Sequence, residues 1–358
     1  MKYFLNCGWR LVCIAGLLVC ACSMLAAPDG LDVGRRRARF HALLDRPRVA
    51  LSPTLTRETE GEFVVERGRF YSEKQEAVPL LIYRAKSANG RLPAVIVLHG
   101  TGGNKEGTAS DLREIARRGM VAIAIDARFH GERVRGGAHG AQEYNEAIIR
   151  AYRETDPNRQ KHPLYFDTVY DLWRTVDYLQ SRGDVAGDRI GMLGFSMGGI
   201  ETWLAAATDT RIRVAVPAIG VQSLKWSLEN ERWQGRANTI KSAHEAVAHD
   251  LGEAEVNSKV CRALWNKVVP GILDEFDCPR MLEAVAPRPM LILNGEKDPN
   301  CPLEGAKLAF EAAEEAYRRA AAQDRLEIDV ASGVAHAVTP AQHDRAYAFL
   351  ERGLKRGK

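Results

Sequence analysis

The chain has 358 residues, 46% of them hydrophobic and 27% charged, with a formal net charge of +4. That is enough apolar material for one large core or two small ones. The weak charge, and the absence of any long Lys/Arg run interleaved with aromatics, exclude a nucleic-acid partner, and the basic cluster Arg35-Arg36-Arg37-Ala38-Arg39 reads as a solvated helix face.

Lys2 and Arg10 precede an apolar run, Leu11 to Leu18, which continues through Val19-Cys20-Ala21-Cys22 and is closed off by Pro28-Asp29-Gly30. A basic start followed by a short apolar stretch is the make-up of an export signal, and the run is too short for a comfortable membrane span. Residues 1–27 are therefore expected to be removed, giving a periplasmic or extracellular protein. Two ends of the signal compete. Cleavage near Ala26 or Ala27 frees the chain. Alternatively the signal ends at 21, because Val19-Cys20-Ala21-Cys22 resembles a lipobox in which Cys22 would carry a lipid anchor. Four of the seven cysteines lie in this segment; Cys261, Cys278 and Cys301 remain, and three thiols cannot all pair. None has metal-ligand spacing such as C-x-x-C, so no metal site is expected.

Residues 28–60 form an N-terminal lead-in, with a short helix from Leu31 to Leu44 and a polar, Pro-containing stretch from Arg46 to Glu60. From residue 61 apolar β-type runs alternate with helical segments. Phe63-Val64-Val65 and Val78 to Tyr83 open the series, with Pro79 pointing to an edge strand. Ala94 to Leu98 and Val121 to Ile125 are continuous apolar runs, as in strands buried on both faces. Helices are expected over Asp111–Arg118 and, after a polar excursion at 131–164, over Phe166–Leu179, whose Val169, Leu172, Trp173, Val176 and Leu179 share one face. Further strands follow at Ile190–Phe195, Val214–Ile219, Met290–Leu293 and Leu326–Val330, and helices at Gly199–Ala207, Pro302–Ala322 and Pro340–Leu354. Such alternation predicts an α/β fold, a mostly parallel sheet with helices on both faces. Residues 222–284 break the rhythm. They hold Trp226, Trp233 and Trp265 and helical patterns only, and read as a helical insertion, or cap, packed by those tryptophans.

Gly194-Phe195-Ser196-Met197-Gly198-Gly199 matches G-x-S-x-G between an apolar strand and a helix, the setting in which a sharp turn presents a serine hydroxyl as a nucleophile. The base belongs C-terminal to it, on a loop after a late strand, where a parallel sheet delivers catalytic groups. His336 in Ser332-Gly333-Val334-Ala335-His336 fits; His343 falls in the last helix, and His244 and His249 read as surface residues of the insertion. The acid that orients the base is sought after another late strand, in Leu293-Asn294-Gly295-Glu296-Lys297-Asp298-Pro299, with Asp298 first and Glu296 as fallback. The oxyanion hole would use the backbone N–H of Met197 and of Thr101 or Gly102 in His99-Gly100-Thr101-Gly102-Gly103. The charged stretch Asp126 to Arg133 reads as a salt-bridged turn rather than a substrate contact.

These segments resemble the dienelactone-hydrolase-like and acetyl-xylan-esterase-like branch of the α/β-hydrolases, over roughly residues 60–355. The resemblance implies an eight-stranded sheet, an acyl-enzyme and no cofactor, and it aligns Ser196, Asp298 and His336 with the family's triad. One residue departs from the pattern. Dienelactone hydrolases proper use a cysteine nucleophile where this chain has Ser196, which favours ordinary ester hydrolysis. The leading expectation is thus an exported serine hydrolase acting on a small-molecule or carbohydrate ester. A serine peptidase of the prolyl-oligopeptidase-like type and a catalytically silent binding protein on the same fold are the alternatives.

Overall fold

The computed structural model describes residues 30–134 and 140–355; the export signal and Cys22 lie outside the described residues. Nine strands make one sheet: β1 (Thr54–Glu60), β2 (Phe63–Glu73), β3 (Glu76–Ala85), β4 (Leu92–Leu98), β5 (Val121–Ile125), β6 (Val185–Phe195), β7 (Ile212–Ala218), β8 (Met290–Gly295) and β9 (Leu326–Ala331). Their spatial order is β1-β2-β3-β5-β4-β6-β7-β8-β9. β1, β2 and β3 form an antiparallel meander that joins β5, and from β5 to β9 every neighbour is parallel.

The period of two along the central strands divides the core. Val95 and Val97 of β4 face one side with Ala122, Ala124, Leu193, Val216 and Leu293, and there they meet helices α2 (Ala109–Arg117) and α12 (Pro340–Lys355) through Leu112, Ile115 and Leu350. Ala94, Ile96 and Leu98 face the other side with Ile123 and Met192. They join a larger core with α1 (Gly30–Leu43), α3 (Gln142–Arg153), α4 (Phe166–Ser181), α5 (Met197–Thr208) and α11 (Leu303–Arg319). Between β7 and β8 lie only helices: α6 (Leu224–Glu229), α7 (Gln234–Asn238), α8 (Lys241–Asp250), α9 (Ser258–Val268) and α10 (Cys278–Glu283). Trp233 and Trp265 are buried among them.

Several details differ from the sequence reading. The sheet has nine strands, not eight. The extra one, β1, came from the polar lead-in and has largely exposed residues on both faces, so it carries no hydrophobic alternation; it is held by its antiparallel ladder with β2. β3 is an internal strand, although Pro79 suggested an edge. Its pairing with β5 begins at Leu80 opposite Ile125, so the N–H that Pro79 lacks falls beyond the end of β5. The polar excursion hides α3, whose Tyr144, Ala147, Ile148 and Ala151 are buried at helical spacing. Arg36, expected on a solvated face, is 5% exposed and donates to the Arg280 carbonyl.

Charged groups fasten the meander to α4. Asp171 is fully buried and accepts from Arg128 at 2.7 and 2.8 Å and from Arg133 at 2.6 Å; Arg128 also reaches Glu73. Burial alone would raise the Asp171 pKa, but the two guanidinium charges outweigh it and hold the carboxyl well below the usual range. A group depressed in this way contributes stability above its unfolded pKa, and the contribution is lost as pH falls through the folded pKa. Asp171→Ala removes the fully buried anion that Arg128 and Arg133 share and is expected to cost about 3–5 kcal/mol by urea denaturation at pH 7. The gap between wild type and variant should narrow as pH falls below about 4; a gap that is small at pH 7, or unchanged at low pH, would contradict this account.

Candidate active site

The carboxyl ends of β4, β5, β6, β8 and β9 share one rim of the sheet, and each is followed by a segment singled out in the sequence. Ser196 stands between β6 and α5 with φ 55°, a left-handed conformation that L-residues rarely adopt. Its N–H donates to the Ala218 carbonyl of β7 at 2.9 Å, and its own carbonyl accepts from Ile200 at 3.0 Å. The turn closes only because its flanks are bare. A Cβ on Gly194 would run into the Gly198 carbonyl, and one on Gly198 would lie 2.7 Å from the His99 carbonyl.

The Ser196 hydroxyl donates to His336 Nε2 at 2.8 Å, and His336 Nδ1–H donates to Asp298 Oδ2 at 2.7 Å. The other Asp298 oxygen accepts from the N–H groups of Asn300 (2.8 Å) and Cys301 (3.0 Å), so the carboxylate has no rotational freedom left. The Asp298 side chain is fully buried, whereas that of His336 is 22% exposed. The two loops are laced together: Glu296 N–H donates to Ala331, Lys297 N–H donates to Val334, and the exposed Glu296 carboxylate accepts from Ser332 and Gly333. Glu296, the fallback acid, therefore ties the loop that carries His336 and does not touch the imidazole.

The other histidines are occupied elsewhere. His343 lies 3.1 Å from Asp111 in a cluster with Tyr347. His249 is exposed. His244, read as a surface residue, is fully buried; its Nε2 accepts from Trp265, and burial brings its pKa down to about 4.

Met197 opens α5, so its N–H is among those that a helix leaves unpaired in its first turn. Gly100 faces Ser196: a Cβ built on it would lie 3.4 Å from that of the serine. Thr101 and Gly102 follow in a turn closed by Gly103 N–H on the Gly100 carbonyl at 3.0 Å. Two residues that the sequence reading left without a role brace this turn. His99 Nδ1–H donates to the Gly100 carbonyl and Nε2 accepts from Ala127, with burial lowering its pKa. Lys105, 1% exposed, sends its ammonium to Asp126 at 3.0 Å and Glu132 at 2.6 Å, while its N–H donates to Asp126 Oδ1 at 2.8 Å. The segment from Asp126 to Arg133 is thus a salt-bridged, hydrogen-bonded turn. A lysine two places past a glycine pair gives no periodic signal of burial.

Asp298, Cys301 and His336 offer ligand atoms within 4.8 Å of one another. Their chemistry does not suit a cation. Burial pushes the Cys301 thiol up to about 12, and it sits 3.2 Å from the Arg236 guanidinium. Both Asp298 oxygens are already taken. Cys261, Cys278 and Cys301 are free and buried. A hollow of about 900 Å³ opens near Arg213, Pro289 and Arg325 at the opposite ends of the strands and holds none of these groups.

The chain is similar to known proteins. Residues 80–255 match the model of the dienelactone hydrolase family. YtaP of Bacillus subtilis (strain 168), provisionally named a hydrolase, is 27% identical over 335 residues, which is 89% of this chain and 99% of that protein. Acetyl xylan esterase 1 from Thermoanaerobacterium sp. JW/SL YS485 superposes with a TM-score of 0.66 at 19% identity, over 90% of this chain and 93% of that one. The acetyl xylan esterase from Paenibacillus sp. R4 gives 0.62 at 20% identity, over 90% and 95%.

The elbow allows a direct check. Gly194→Ala should lower stability by about 1–3 kcal/mol or more through steric overlap with the Gly198 carbonyl, read as a lower denaturation midpoint. A variant as stable as wild type would show that the turn has room that the structure denies it.

Proposed function

We propose an exported serine hydrolase that cleaves carboxylic esters of short acyl groups, acetylated sugars among them, a reading supported by the match of residues 80–255 to the dienelactone hydrolase family model and by the fold shared with acetyl xylan esterases. The observation that carries the reading is the unbroken hydrogen-bonded chain from the Ser196 hydroxyl through His336 to buried Asp298. Export rests on Lys2, Arg10 and the apolar run that follows. The acetyl xylan esterases of the same fold support an acetylated carbohydrate as substrate.

Ser196 Oγ attacks the ester carbonyl while its proton passes to His336 Nε2, and Asp298 holds the imidazole in the tautomer that can accept it. The oxyanion so formed would be met by the N–H of Met197 and of Thr101 or Gly102 acting as its donors. The imidazolium returns its proton to the departing alcohol, leaving an acyl-serine. Water then attacks the acyl carbon, again giving a proton to His336, and the acid leaves as Ser196 recovers its hydrogen. Positioning the groups is where much of the acceleration arises, since a displacement of about 1 Å can cost a hundredfold.

With p-nitrophenyl acetate as substrate, Ser196→Ala is expected to lower kcat by about 10⁴-fold or more, and Asp298→Asn by about 10³–10⁴-fold through the wrong tautomer. A fluorophosphonate probe should label wild type at Ser196 and spare Ser196→Ala. Turnover that survives in Ser196→Ala would rule the reading out.

A further inference from the structure

The helices after β7 reach the base of this relay. Arg236 on α7 is 4% exposed. One of its terminal nitrogens donates to the Asn300 carbonyl at 3.1 Å and lies 3.2 Å from Cys301 Sγ. Gln222, just after β7, donates to the same carbonyl at 2.6 Å. Asn300 and Cys301 are the residues whose N–H groups grip Asp298. Contact therefore runs without a gap from Arg236 through the turn to the carboxylate, the imidazole and the hydroxyl. The other two guanidinium nitrogens, Nε and one terminal nitrogen, have no hydrogen-bond partner among the described residues.

A guanidinium taken out of water needs a compensating charge. The titratable groups around Arg236 come from three places: Tyr144 on α3, Tyr165 just before α4, and Cys301 and Asp298 on the turn after β8, with Glu201 on α5 beside the two tyrosines. Burial drives both tyrosines, Glu201 and Cys301 towards their neutral forms. That leaves the Asp298 carboxylate as the group of opposite charge in reach.

We propose that Arg236 is a positioning residue for the Ser196, His336 and Asp298 relay: from the inserted helix it locks the turn that aims the carboxylate and keeps a positive charge behind it. The proposal rests on the hydrolase reading above. It makes the insertion part of the catalytic frame as well as a cover for the sheet rim.

The test compares Arg236→Met, Arg236→Lys and Gln222→Leu with wild type. It reads turnover of p-nitrophenyl acetate, the rate of fluorophosphonate labelling, and the pH profile of kcat/KM. Arg236→Met should lower kcat by about 10- to 100-fold with KM changed less than about threefold, and labelling should slow in step. Its acid limb should move to higher pH, because removing a nearby positive charge makes His336 easier to protonate. Arg236→Lys should recover part of kcat and return the limb towards its wild-type position. Gln222→Leu takes away a hydrogen bond and no charge, so it should cost less and leave the limb in place. Wild-type kcat in Arg236→Met overturns the proposal, and so does a fall in kcat with an unmoved limb and no recovery in the lysine variant. Should the methionine variant fail to fold, Arg236→Lys decides: reduced kcat with an unmoved limb supports the role, and unchanged kcat overturns it. Wild-type protein that neither turns over ester nor labels at Ser196 overturns the hydrolase reading itself, and this proposal with it.

Discussion

The backbone of Ser196 is the constraint from which the rest of the site is measured. Its left-handed φ of 55° stores strain that only a surrounding structure can hold. That structure is β7, whose Ala218 carbonyl takes the serine N–H, and β4, whose end crowds Gly198. β6 must therefore lie between β4 and β7, as it does in the sheet. Once the three strands are in register, the hydroxyl has one direction, and every other group is useful only if its own loop ends within reach of it.

Loops that long would wander without lateral ties. The segments after β8 and β9 are neighbours because their strands are parallel and adjacent, and main-chain bonds from Glu296 and Lys297 continue that adjacency past the strand ends. The segments after β4 and β5 are joined by charge instead. Lys105 and Asp126 are both buried and paired, and the Asp126 carboxylate also accepts a backbone N–H from each of the two turns, those of Lys105 and Glu132. Removing Lys105 would leave the buried Asp126 carboxylate without its cation, so this pair holds the 99–105 turn in place much as the glycines hold the elbow.

Much of this could be read from sequence, and the misses share a cause. Buried parallel strands announce themselves as continuous apolar runs, and G-x-S-x-G between a strand and a helix pointed to Ser196. β1 has neither signal, since a polar edge strand such as Thr54–Glu60 is specified by its partner. α3 carries a clean helical pattern at Tyr144, Ala147, Ile148 and Ala151, but it was masked by the charged residues on its other face. Buried Lys105, Arg236, Asp171 and His244 are the larger gap. Composition prices such residues as exposed, and only tertiary structure supplies the partners that make their burial tolerable.

The two halves of the relay sit in different media, and the chemistry asked of them differs accordingly. The imidazole is partly open to solvent, where a substrate can reach the hydroxyl beside it. The carboxylate is closed off and held by three donors. A carboxylate in water orients its partner weakly, because the attraction at hydrogen-bond distance is screened many-fold more than in a protein interior. Closing the carboxylate's side is what converts a flexible acid into a fixed one. β8 and β9 alone cannot close it, since the turn at Asn300 would face solvent without Gln222 and Arg236 against its carbonyl. The helices between β7 and β8 are thus needed for the stiffness of the acid as much as for the shape of any cleft above it.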